Sequence, residues 1–146
     1  MGSPRTRALW TCPRCKRQFA NKNQAHSCGR FELDDLFVGT DETVRRLFEL
    51  FTEAVRANGE VTVIPEKTRV AFQVRMSFAA VVPRRSWLDG HLVLAEKVSE
   101  PWVRQIDVIS ASNQVHHFRL RDASDLTPAL RARLSDAYAV GEQRHL

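Results

Sequence analysis

The stretch KTRVAFQVRMSFAAVVPRRSWLDGHLVL, residues 67–94, decides the class of fold. Within RVAFQVR (69–75), Val70, Phe72 and Val74 alternate with Arg69, Ala71, Gln73 and Arg75. A period of two places one set on a buried face and the other outward, which is the signature of a strand. FAAVVP (78–83) reads as a second strand and WLDGHLVL (87–94) as a third, with Arg84-Arg85-Ser86 as the turn between them. Connections this short join antiparallel neighbours. VTVIP (61–65) adds a short edge strand, because Pro65 lacks the N–H that a central position needs, and VHHFRL (115–120) adds another alternating strand.

Helical spacing appears on both sides of these strands. Val44, Leu47, Phe48, Phe51, Ala54 and Val55 form an apolar stripe over 42–57, which Thr40 or Asp41 can cap and Asn58-Gly59 ends. Asp125, Thr127 and Pro128 open a final helix reaching Tyr138 or Val140, with Leu130, Leu134, Ala137 and Tyr138 turned inward. Ser99-Glu100-Pro101 resembles an N-cap with proline in the first turn and predicts a short helix near 100–106. FELDDLF (31–37) reads as a linker. The expected class is α+β: a small N-terminal zinc knuckle or finger, then an antiparallel sheet of four to five strands whose one face is packed by N- and C-terminal helices.

The chain has 146 residues, 43% of them apolar, which suits one globular domain with a small appendage and excludes wholesale disorder. No apolar run approaches the ~18 residues of a membrane span, and Ala8-Leu9-Trp10 is too short for a secretory signal. MGSPRT fits the loose N-myristoylation pattern at Gly2, a match that chance often supplies. The net charge of +5 hides an asymmetry: residues 1–30 carry +7 with no acidic group, and residues 31–146 carry −2. Arginine outnumbers lysine by 18 to 4, as coding in a GC-rich bacterial genome would produce, so abundant arginine alone does not indicate nucleic acid.

All three cysteines lie in WTCPRCKRQFANKNQAHSC (10–28), in the pattern Cys12-x2-Cys15-x10-His26-x-Cys28. Four ligands with no open position are the donor set of one structural zinc ion, and thiolates kept for metal imply the reducing cytoplasm. Pro13 suits the turn between the first two cysteines, and Trp10 and Phe19 flank it as apolar packing. The opening resembles that of a zinc finger. The His-x-Cys end departs from that pattern, because residues two apart cannot both face one ion from regular helix. A turn or short helix over 21–26 is therefore expected to end at His26, with Cys28 in the loop beyond and no long recognition helix.

The quoted stretches, together with VHHFRL and DLTPALRARLSDAY, resemble the bacterial domain of unknown function 5655 family, with the domain over about 35–140 and the zinc head over 10–28. The resemblance supports the fold and the zinc and implies no activity.

Alternation along the strands leaves one face where function could reside. Arg75, Asp89, His91, His117 and Arg119 are expected outward as a polar cluster suited to an anion, or to acid–base chemistry such as His91 with Asp89. The plainer expectation is an ordinary wet sheet face. His116 points the other way, as a packed core histidine, and Trp87 and Trp102 are expected at the core or its rim. No glycine-rich phosphate loop, nucleophile elbow or carboxylate pair occurs. The leading expectation is a non-enzymatic binding module whose basic head, through Arg14, Lys16, Arg17 and Lys22, grips nucleic acid. Lys67, Arg69, Arg75, Arg84 and Arg85 would assist, with Asn21, Asn23 and Gln24 supplementing. The alternatives are an adaptor docking an acidic protein partner and an enzyme built around His91 and His117.

Overall fold

A computed structural model describes residues 8–23 and 31–144 of the chain. The head contributes a two-stranded hairpin, β1 (Trp10–Thr11) and β2 (Gln18–Phe19), in which Trp10 and Phe19 pair across the strands with ring centroids 6.0 Å apart. The main sheet contains β3 (Thr62–Pro65), β4 (Val70–Gln73), β5 (Ser77–Pro83), β6 (Leu88–Leu94), β7 (Gln105–Ser110) and β8 (Asn113–Leu120). They lie in the order β3-β4-β5-β6-β8-β7, every pair antiparallel. Two helices, α1 (Glu42–Arg56) and α2 (Pro128–Gly141), pack on one face of this sheet and on each other.

The α+β class with its antiparallel sheet and terminal helices is as the sequence indicated, but the sheet has six strands, not four to five. The added strand is β7, which takes the last two residues of the helix expected over 100–106, the rest being a single turn and an extended link. Glu100 closes just one turn, Val103 N–H donating to its carbonyl at 3.0 Å. Its carboxylate accepts from Trp102 Nε1 at 2.9 Å and Arg133 Nε at 2.9 Å. Beyond that turn, the β-branched run Ile106, Val108 and Ile109 pairs with β8.

The segment 31–37 is not a linker. A 3₁₀ turn forms over Leu33–Phe37, and Leu33, Leu36 and Phe37 pack against the core. Thr40 does not cap α1: its hydroxyl donates to the Phe37 carbonyl at 2.8 Å. Asp41 holds the N-cap position without a side-chain bond. α2 is capped as its sequence suggests, the Thr127 hydroxyl oxygen accepting from Leu130 N–H at 3.2 Å, with Pro128 at its start.

The core lies between helices and sheet. Phe51 is fully buried, its ring centroid 5.3 Å from Phe72 on β4 and 5.4 Å from Phe118 on β8. Phe118 has room because Gly90 stands opposite it on β6: a Cβ there would sit 2.5 Å from the Phe118 ring. The outer face of the sheet is partly covered as well. Ala71, Gln73 and Ala80 point away from the helices yet are buried. The Gln73 side-chain amide donates to the Gln18 carbonyl, and Arg17 lies 4.0 Å from Glu66. The head hairpin therefore rests on the outer face, at the β3–β4 side. Among the described residues no helix is long and apolar enough to cross a membrane.

Candidate functional site

Register decides which outward side chains meet. On β6, Asp89, His91 and Val93 share the outer parity, with Trp87 just before the strand. On β8, Arg119 stands opposite Asp89 and His117 opposite His91. On β7, Gln105 stands opposite His117. One row across the sheet thus runs Ala71, Ala80, His91, His117, Gln105. The imidazoles of this row lie in a groove of about 430 Å³, lined by His91, His117, Asp89, Arg84, Arg104 and Arg119 among others. A second hollow of about 410 Å³ beside Trp102 shares Arg104 and Arg119 with it.

Asp89 is the structural anchor of the groove. It accepts from Arg119 Nε at 2.7 Å and Arg84 Nε at 3.1 Å. Burial works to raise its carboxyl, but the hydrogen bonds, led by that from Arg119, hold it below the usual carboxylate value. Arg119 and Arg121 lie over the Trp87 ring, 4.7 and 5.2 Å from its centroid, so Trp87 is a rim residue roofed by two guanidinium groups. The Arg104 guanidinium makes no hydrogen bond or ion pair with any described residue and is exposed, although the Arg104 backbone N–H donates to the His117 carbonyl at 2.8 Å.

The two histidines differ in their surroundings. His117 Nε2 donates to Asp107 Oδ2 at 2.7 Å, and Asp107 also accepts from Gln105 Nε2 at 2.8 Å. These hydrogen bonds, that from Gln105 first, keep the Asp107 carboxyl below its ordinary value. His91 lies edge-to-face with His117, ring centroids 5.7 Å apart, and makes no hydrogen bond among the described residues. Burial, then the positive charges of Arg69 and His117, push it down to about 4, against a weaker opposing pull from Asp107. It is therefore neutral at pH 7. His91 does not pair with Asp89, whose oxygens are taken by arginines.

His116, on the other face, is buried as expected. Val98 N–H donates to its Nε2 at 3.0 Å, so Nδ1 carries the proton and donates to the Gln114 carbonyl at 2.9 Å. Trp102 packs beside it, ring centroids 6.1 Å apart.

The expected cluster is therefore assembled in four of its five members. Arg75 is elsewhere: β4 ends at Gln73, Arg75 lies in the turn before β5, and its Nε donates to Gln143 Oε1 at 3.0 Å beyond α2. Arg69 pairs with Glu66 at 2.9 Å, near enough to His91 to act on its charge. Arg14, Lys16, Lys22, Lys67 and Arg85 are exposed. Arg17 is turned inward, its guanidinium 5.0 Å from the Phe19 ring centroid, so it docks the head and is not displayed. Arg104, Gln105 and Asp107 were not found from the sequence because β7 was not. The alternation of Gln105 and Asp107 with Ile106 and Val108 was the available signal.

Cys12 and Cys15 sit on the turn between β1 and β2, Cys12 buried and Cys15 half-buried. Lys16 N–H donates to the Cys12 carbonyl at 2.8 Å and Cys12 N–H to the Arg17 carbonyl at 2.9 Å. His26 and Cys28 lie outside the described residues, and so do Gly2 and Gln24. Among the described residues there is no group of three or more histidine, cysteine or acidic side chains able to hold a metal, so no zinc knuckle is evident there.

Fold and groove together define a small antiparallel α+β domain with an arginine- and histidine-lined outer face. The chain belongs to the family described as Domain of unknown function (DUF5655), whose model matches residues 33–141. No curated protein and no solved structure matches it.

Proposed function

We propose that the chain is a nucleic-acid-binding module in which the basic head and the groove of the outer sheet face meet the phosphate backbone as one surface. The observation that carries this reading is the seat of the head hairpin, on the same face as the groove, through Gln18 with Gln73 and Arg17 with Glu66. Arg14, Lys16 and Lys22 are exposed on the hairpin side and Arg84 and Arg104 on the groove side, with half-buried Arg119 between strands. Cations spread along one surface neutralise successive phosphates and release their counterions. Trp87, under Arg119 and Arg121, gives that surface a flat rim.

One structural zinc ion, held by Cys12, Cys15, His26 and Cys28, completes the head in this reading. The hydrogen-bonded turn carrying the first two thiols has the donor chemistry the ion requires. Its chemistry would be structural: it fixes the hairpin on which Arg14 and Lys16 stand. Metal analysis of the purified chain is expected to give one zinc per chain. The Cys28→Ser variant is expected to lose it or hold it far more weakly, and a metal-free wild-type chain would refute the ligand set.

The binding test is a titration of labelled DNA and RNA, single- and double-stranded, across a range of salt. The full chain is expected to bind with a steep salt slope. Neutralising Arg14, Lys16 and Lys22 to glutamine together should weaken binding and flatten the slope on duplex by up to about 3, at ~0.9 per lost phosphate contact. Absence of binding at low salt would refute the reading, and retention of an acidic protein partner after nuclease treatment would replace it with an adaptor role.

A further inference from the structure

We propose that His91 and His117 form an acid–base pair that cleaves RNA in the groove, using the substrate's own 2′-hydroxyl as the nucleophile. This rests on the nucleic-acid reading above and adds a chemical step to it. The two imidazoles stand directly opposite each other on β6 and β8, ring centroids 5.7 Å apart, at the floor of a groove of about 430 Å³. They are not equivalent. His117 has Nε2 committed to Asp107 at 2.7 Å, which fixes its ring and leaves Nδ1 for proton transfer. His91 makes no hydrogen bond among the described residues, so neither of its nitrogens is committed to a described partner. Two titratable groups of one kind, held in contrasting environments, are the arrangement that divides acid from base. Burial and Arg69 keep His91 unprotonated at neutral pH, which makes it the base.

The choice of RNA follows from what lines the groove. No serine, threonine, cysteine or lysine side chain is among its lining residues, so the attacking oxygen comes from the substrate. A ribose carries one beside the scissile phosphate, and a deoxyribose does not. In the step, His91 takes the proton from the 2′-hydroxyl as its oxygen bonds to phosphorus. The bond from phosphorus to the 5′-oxygen breaks, and His117, entering the step with both ring nitrogens protonated, gives its Nδ1 proton to that leaving oxygen while Nε2–H stays on Asp107. The products are a 2′,3′-cyclic phosphate and a 5′-hydroxyl, with no added reactant. Charge gathers on the phosphoryl oxygens in the transition state, where Arg104, without an ion pair among the described residues, and Arg119 can stabilise it. Asp107 is a positioning residue that acts through the orientation of His117.

The test uses the full chain with three labelled single strands: RNA, the all-deoxy counterpart, and the deoxy strand with one ribonucleotide, each followed for binding and for cleavage without added magnesium. The RNA and the single-ribonucleotide strand are expected to be cut, at the ribonucleotide in the latter. Both should leave cyclic phosphate ends, and the all-deoxy strand should stay whole. His91→Gln and His117→Gln are expected to lower the cleavage rate by about 10²–10⁴ with binding little changed. Asp107→Asn should lower kcat while KM holds. RNA bound but never cut overturns this proposal and leaves the binding reading standing, whereas RNA neither bound nor cut overturns both. Cleavage at full rate in both histidine variants, or ends other than cyclic phosphate from the unsubstituted chain, also overturns it. The end chemistry needs no variant, so a misfolded substitution cannot obscure the answer.

Discussion

Replacing Phe51 by alanine is expected to destabilise the domain by about 3–5 kcal/mol, the largest loss from any single truncation in the core. The ring is fully buried where α1 meets the sheet, between Phe72 and Phe118 at centroid distances of 5.3 and 5.4 Å. Those two rings stand on β4 and β8, which are separated by β5 and β6 and held at sheet spacing by backbone hydrogen bonds. The strands cannot close over a vacated ring, so the cavity persists and its cost adds to the lost burial. A domain of this size has about 5–15 kcal/mol in total, so the variant would sit near the edge of folding. Urea unfolding monitored by circular dichroism checks this: the midpoint should fall with little change in slope. A loss under about 1 kcal/mol would mean that α1 does not seat on the sheet as described.

Acid is expected to weaken the fold through His91, and by the same sign through His116. Each is held below its ordinary value, His91 at about 4 against 6.5, so the unfolded chain takes up protons that the folded chain refuses. The stability His91 contributes is present in full above pH 6.5 and is lost as pH falls toward 4. At about 1.4 kcal/mol per unit, His91 alone accounts for a loss on the order of 3 kcal/mol. The groups facing it are Arg69, His117 and Asp107, and only Asp107 opposes the effect. His116 adds to it because it is buried, and its Nε2 already accepts the Val98 N–H, which a second ring proton would expel. Thermal melts from pH 7.5 to 4 check the sign, with His91→Gln expected to flatten the fall below about pH 6.5. Parallel curves for the two proteins would show that His91 is open to water when folded.

Periodicity and caps made much of this fold legible. Thr127-Pro128 starts α2, the apolar stripe of α1 is buried as its spacing requires, strict alternation marks β8, and short apolar runs between turn residues mark β5 and β6. What escaped was decided at long range. Ser99-Glu100-Pro101 has the local chemistry of a helix start, but the Glu100 carboxylate is taken by Arg133, 33 residues further on, and the chain turns once and extends. With β7 went Arg104, Gln105 and Asp107, and so the partner of His117. Alternation could place Asp89, His91, His117 and Arg119 on one face, yet said nothing of which stood opposite which. Only register put arginine against Asp89 and imidazole against imidazole. Arg75 was misplaced because β4 ends at Gln73, and the turn that carries Arg75 does not keep the strand's parity.

The order β3-β4-β5-β6-β8-β7 has a consequence for biosynthesis. Each strand pairs with one made shortly before or after it, so a growing polypeptide can set its registers nearly in the order of translation. α1, made before them, covers part of β5 and β6, but the rest of their covering does not follow that order. It waits for α2, whose Leu130, Leu134 and Ala137 are buried and whose Tyr138 meets the Phe78 ring at 5.6 Å. Until residue 141 has been added, a ribosome-bound chain presents a paired sheet covered by α1 alone, with Phe78 open to chaperones or to another nascent chain.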